Sequence, residues 1–66
     1  MNETDKEIIL AFAENNMNVC ETARKSVYHR NSIDYHLRNI KHKTGLDPKK
    51  FYDLVELVRQ VKGEEK

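Results

Sequence analysis

Asn18 to Ile40 read NVCETARKSVYHRNSIDYHLRNI, and this stretch divides into two short helical segments joined by a tight turn. Asn18 is a strong N-cap residue, and Glu21 follows three positions later to complete a capping-box-like pair. Ala23 is small and stands where two crossing helices need close approach. The turn falls at Ser26-Val27-Tyr28. A second helical segment starts near His29 or Arg30 and brings Ile33, Leu37 and Ile40 onto one face. A small residue in the leading helix, a short turn and an apolar stripe on the following helix outline a helix-turn-helix. The dominant use of that motif is to place its second helix in the major groove of DNA.

Working outward, Thr4-Asp5-Lys6-Glu7 has the form of a capping box that opens a first helix, with Ile8, Ile9, Phe12 and Ala13 on its inner face. Asn15-Asn16-Met17-Asn18 ends it, because asparagine tolerates left-handed backbone and competes for local hydrogen bonds. The second helix is expected from about Val19 to Lys25 and the third from about Arg30 to Thr44. Gly45 suits a left-handed C-terminal cap, with Leu46 folding back onto Ile40. Asp47-Pro48 restarts a helix, Asp as N-cap and Pro at the first helical position. That fourth helix carries Phe51, Leu54, Val55, Leu57, Val58 and Val61 and ends near Gly63; the tail Glu64-Glu65-Lys66 is expected to fray. The expected fold is all-α, a small helix-turn-helix bundle of about four helices. It forms one domain over residues 1–66, with the motif at about 18–44 and the amphipathic C-terminal helix at about 48–62.

Sixty-six residues make one small domain, which needs well-packed helices or an oligomer to be stable. With 38% hydrophobic and 35% charged residues the chain reads neither as disordered nor as a membrane protein. Its longest apolar runs are too short for a bilayer, and its N-terminus does not resemble a secretion signal. Asn2-Glu3-Thr4 is a formal glycosylation sequon that reads as chance without such a signal. The single cysteine, Cys20, excludes an internal disulfide and fits a reducing cytoplasm.

The net charge of +1 hides a strong segregation. Residues 1–23 hold one lysine against five carboxylates, net −4; residues 24–50 hold eight Lys and Arg against Asp34 and Asp47, net +6; residues 51–66 hold three basic and four acidic groups, net −1. All three histidines lie in the basic block. A partner surface feels this local potential rather than the chain total.

On a helical wheel at about 100° per residue, Asn31, Tyr35, Arg38 and His42 form one stripe opposite Ile33, Leu37 and Ile40. Arg30, Ser32 and Asp34 flank it. Arg matches guanine, Asn matches adenine, Ser is versatile and Tyr can bond a phosphate; the helix N-terminus favours phosphate as well. Asn18, Thr22, Arg24, Lys25, Lys41, His42 and Lys43 are candidates for phosphate contacts. Asp34 is repulsive toward a phosphate. Arg30 and Arg38, each four residues away, are its expected partners.

These residues resemble a known family. Asn18-Val19, Glu21-Thr22-Ala23-Arg24, His29-Arg30-Asn31-Ser32-Ile33, Tyr35, Leu37, Ile40 and Thr44-Gly45-Leu46-Asp47 closely resemble the C-terminal helix-turn-helix of PucR-type transcriptional regulators. They are more distantly similar to the DNA-binding end of the factor for inversion stimulation. The resemblance spans about residues 14–55. It implies an all-helical DNA-binding domain, usually joined to a separate sensor domain, and bacterial nucleoid-associated localisation. Carried over, the base-reading positions are His29, Arg30, Asn31, Ser32, Tyr35 and Arg38. The chain departs from the family at Met17, Ser26, Tyr28, Asp34 and His36.

Other constellations carry less. Cys20, His29, His36 and His42 lack the close ligand pairs of a structural zinc site, so no metal or other cofactor is expected; His36 is expected to border the core and Cys20 to be a small buried hydrophobe. Neither paired carboxylates in a cleft nor a glycine-rich phosphate loop is evident, so the chain is not expected to be an enzyme. The apolar arc of the fourth helix is broad, about 160° by the same wheel. Phe51, Leu54, Leu57, Val58 and Val61 are therefore candidates for a homodimer face, with Leu57→Glu expected to split the dimer without unfolding the domain. The rival reading is a protein-interaction or dimerisation module on a helix-turn-helix scaffold that no longer binds DNA.

Overall fold

A computed structural model describes the backbone of residues 1–64 and the side chains of residues 1–63. Four helices lie among the described residues: α1 Glu3–Glu14, α2 Val19–Arg24, α3 Arg30–Thr44 and α4 Phe51–Glu64. The molecule is a small all-α bundle. α1 packs against each of the other three, and α2 packs against α3. Ile8, Ile9 and Phe12 of α1, Ile33, Leu37 and Ile40 of α3, and Leu54, Leu57 and Val61 of α4 form one buried cluster. Burying each of these side chains contributes roughly 1.5–3 kcal/mol, so the three stripes together supply the main drive to fold.

The helix boundaries follow from capping, with two departures from expectation. α1 is capped by Asn2, whose Oδ1 accepts from the Asp5 N–H at 2.8 Å, rather than by Thr4. Asp5 is buried in the bundle, and the helix has to start early enough to put it there. α4 begins at Phe51 rather than at Pro48. Asp47 to Lys50 form a turn in which Lys50 N–H donates to Asp47 O at 2.9 Å and Lys49 N–H donates to Asp47 Oδ1 at 3.0 Å. Asp47 thus caps the turn, Pro48 is buried, and the first α4 bond runs from Leu54 N–H to Lys50 O at 2.8 Å. Of the tail expected to fray, Glu64 closes α4, and residues 65–66 lie outside the described residues.

Between α1 and α2 the chain reverses through Asn16 and Met17 at φ of 58° and 60°. Asparagine takes this left-handed backbone readily; methionine does so at a steric cost. α3 closes as expected on Gly45 at φ 77°, whose N–H donates to Lys41 O at 2.8 Å, and Leu46 packs against the core. No helix among the described residues is long and apolar enough to cross a membrane.

Candidate nucleic-acid interface

The helix-turn-helix is α2, the turn at residues 25–29, and α3. Asn18 caps α2 by accepting from the Glu21 N–H at 3.0 Å. The reciprocal half of the expected capping box is replaced, because the Glu21 carboxylate pairs with Arg24 and Lys25 instead. Ala23 packs against the core, as a close helix crossing requires. In the turn, Ser26 Oγ accepts from the Tyr28 N–H at 3.2 Å. The Tyr28 hydroxyl donates to Glu7 Oε1 at 2.7 Å, which ties the turn to α1. That carboxylate raises the Tyr28 phenol above its usual range, because it accepts the very proton that ionisation would remove. His29 caps α3, its Nδ1 accepting from the Asn31 N–H at 3.1 Å, so the ring proton sits on Nε2 and that nitrogen remains a donor.

The residues expected to read bases are all exposed, on the outer stripe of α3, on its flanks or at its cap. His29, Arg30, Asn31, Ser32, Tyr35 and Arg38 are exposed, and His42 continues the stripe. Tyr35 leaves 56% of its surface in water. Arg38 has no ion pair among the described residues, and the Arg30 guanidinium meets only Cys20 Sγ, at 3.8 Å. Cys20 is therefore exposed at the α2–α3 junction, not the small buried hydrophobe expected. An aromatic ring, an amide and an arginine lie opposite Ile33, Leu37 and Ile40, with Arg30 and the Ser32 hydroxyl on the flanks.

The candidate phosphate contacts divide. Arg24, Lys25, Lys41 and His42 are exposed beside this face. Asn18 is exposed, with its carbonyl oxygen spent on capping. Thr22 is excluded: it is buried, and its hydroxyl donates to Asn18 O at 2.7 Å. Lys43 is committed elsewhere. It lies 3.2 Å from Asp5 Oδ2, while His36 Nδ1 lies 3.0 Å from Asp5 Oδ1. One buried carboxylate of α1 thereby fixes α3 at two side chains seven residues apart, and His36 borders the core as expected. Asp34 pairs with neither Arg30 nor Arg38. Its partner is Lys49 in the α3–α4 loop, at 3.3 Å. Neither Lys49 nor Lys50 was among the candidates, yet both are exposed beside α3; their place in the basic block was the signal available.

Among the described residues, no group of three or more His, Cys, Asp or Glu side chains is placed to hold a metal. Away from the basic face, Ala13, Asn16, Met17, Phe51, Leu54, Val55 and Val58 line an apolar groove between α1 and α4. Phe51 is 62% exposed, Tyr52 83% and Val55 49%, whereas Leu57 and Val61 are fully buried in the domain's own core. Of the expected dimer face, Leu54, Leu57 and Val61 are thus already occupied. Only Phe51 and the partly buried Val58, joined by Val55, remain for a partner. Leu57→Glu would unfold the domain rather than split a dimer.

Comparison with curated proteins and with solved structures gives no match. The family model of the PucR C-terminal helix-turn-helix domain matches residues 6–62, longer at both ends than the resemblance in the motif itself. The match runs from α1 through α4 and includes every residue of the basic face, and the chain belongs to the family of PucR C-terminal helix-turn-helix domains.

Proposed function

We propose that this domain binds double-stranded DNA in a sequence-specific manner and serves transcriptional regulation, with α3 lying in the major groove. The observation that carries the reading is the outer face of α3. Asn31, Tyr35 and Arg38 are exposed there, with Arg30 and Ser32 exposed on its flanks, on a helix held from behind by three buried aliphatic side chains and by the Asp5 clamp. Such a face supplies donors and acceptors to base edges, and the arginines give bidentate contacts to guanine. Arg24, Lys25 and Lys41 supply sequence-independent affinity through backbone phosphates. The work is binding rather than catalysis, in a cytoplasmic, nucleoid-associated setting.

The test is fluorescence anisotropy of a labelled duplex of about 30 base pairs, long enough for more than one helical turn, titrated at low and moderate salt. Binding should weaken steeply with salt, and Arg30→Ala and Arg38→Ala should each weaken it about tenfold or more. Absence of binding at low salt by folded protein would overturn the reading.

The apolar groove between α1 and α4 favours one addition: a partner contact on the face away from the basic surface. A second copy of the chain or a sensor domain would meet Phe51, Val55 and Val58. A homodimer would place two copies of α3 on one duplex, as a near-palindromic site requires.

A further inference from the structure

Asp34 lies on the flank of α3, half-exposed, where a DNA backbone would repel it. Its partner comes from outside the helix. Lys49, in the α3–α4 loop, brings Nζ to 3.3 Å from Asp34 Oδ1. The segment that delivers Lys49 is held in place: Pro48 is buried, Asp47 N–H donates to Asp53 Oδ2 at 3.0 Å, and Lys49 N–H donates to Asp47 Oδ1 at 3.0 Å. Arg38, Lys41 and Lys49 line one notch between α3 and this loop, together with Leu37 and Asp47. Lys41 stands 3.7 Å from Asp47 Oδ2, and Arg38 has no carboxylate partner among the described residues.

A helix in the major groove turns its outer stripe to base edges and its flanks to the phosphate backbones. The notch is on one such flank, and the two lysines that line it suit a phosphate diester, with Arg38 at its base-facing edge. We infer that Lys49 is a phosphate-binding residue held in reserve by Asp34: the carboxylate takes the place of a DNA phosphate and so lowers affinity for DNA of arbitrary sequence. This rests on α3 being the DNA-contacting helix. When Lys49 moves from carboxylate to phosphate it trades one charge-assisted hydrogen bond for another and leaves Asp34 bare beside the backbone, so the exchange gains little. Neutralising Asp34 removes that competitor. The assignment gives Asp34 a task on a basic face where its charge otherwise only opposes binding.

The test compares the native chain, Asp34→Asn, Lys49→Gln and the double variant on a duplex of mixed sequence, by anisotropy between about 50 and 200 mM salt. Asp34→Asn should bind several-fold tighter and steepen the plot of log affinity against log salt by about 0.9, the increment for one further phosphate. Lys49→Gln should cost several-fold more in the Asp34→Asn background than in the native one, and the double variant should return to the native slope. An unchanged slope in Asp34→Asn, or an equal cost of Lys49→Gln in both backgrounds, would overturn the inference and leave Asp34 as a source of general repulsion. If Arg38→Ala weakens binding while the Asp34 and Lys49 effects simply add, the inference falls and the DNA reading stands. If the folded native chain binds no duplex, both fall.

Discussion

At Asp5 a carboxylate is closed off from water and satisfied by the Lys43 ammonium and the His36 ring of α3 and by its place at the capped start of α1. A buried acceptor of this kind is costly to disturb, because its partners lose a charge-assisted bond. Asp5→Asn should lower stability by about 2 kcal/mol, measured by urea unfolding. It should also weaken DNA binding less than proportionately, since Lys43 is freed for phosphate as α3 loosens. Asp47 gives a second residue-level prediction. Its carboxylate accepts the Lys49 backbone N–H and lies near Lys41 and Lys50, which hold it below the ordinary carboxylate range. A folded pKa below the unfolded one gives stability that is present above the unfolded value, about 4, and lost as pH falls through the folded value. Asp47→Asn should therefore melt with a shallower acid limb than the native chain in thermal scans taken from neutral pH downward. Tyr28 has the opposite sign. Its raised pKa gives stability that is present below about pH 10 and lost as pH rises above it, and Tyr28→Phe should flatten the alkaline limb.

Among the elements, α4 has the clearest division of labour. Leu54, Leu57 and Val61 close the core while Phe51, Tyr52 and Val55 face outward. Leu57→Ala should cost about 2–5 kcal/mol by cavity formation. Gly45→Ala at the end of α3 meets open space, but at φ +77° it should still cost about 1 kcal/mol in backbone strain. Both losses are read from chemical denaturation. The same elements show what the sequence could disclose. α3 was legible to within a residue, because its 3.6-period stripe and its terminal glycine agree with one another, though the capping role of His29 was not anticipated. The start of α1 was not: Asn2-x-x-Asp5 and Thr4-x-x-Glu7 are both plausible caps, and the choice turns on Asp5 meeting His36 and Lys43, more than thirty residues away. α4 began late because the Asp47-Pro48 pair builds a turn before it builds a helix. On the candidate face, periodicity anticipated the exposure of Asn31, Tyr35 and Arg38 opposite the buried stripe. The burial of Thr22, the exposure of Cys20 and the pairing of Asp34 with Lys49 depend on tertiary neighbours that no local pattern encodes.

For the whole molecule, the charge segregates along the chain, with an acidic α1 followed by a basic stretch from Arg24 through α3 and the α3–α4 loop. Much of that positive charge is already neutralised. Lys41 is paired with Asp47, Lys43 with Asp5 and Lys49 with Asp34, while Arg24 and Lys25 share Glu21. Arg30 and Arg38 have no carboxylate partner among the described residues, and Lys50 acts on Asp47 only at longer range. With one more from the Arg24 and Lys25 pair, about four cations per copy would be free to displace counterions from a duplex. Each contributes about 0.9 to the slope of log affinity against log salt, so one copy should show a slope of about −3 to −4. Ion pairs that exchanged freely for phosphates would give a slope closer to −7 by the same rule, so the slope reports whether the internal pairs persist on DNA. Oligomeric state enters the same measurement. A dimer formed through Phe51, Val55 and Val58 presents two basic faces and should double the slope on a duplex carrying two half-sites about one helical turn apart. Phe51→Ser should then return the slope to the single-copy value without lowering the melting temperature, because that ring is mostly in water already. If sedimentation finds the native chain monomeric and the slope is the same for one half-site as for two, the groove serves a different partner and each copy engages DNA alone.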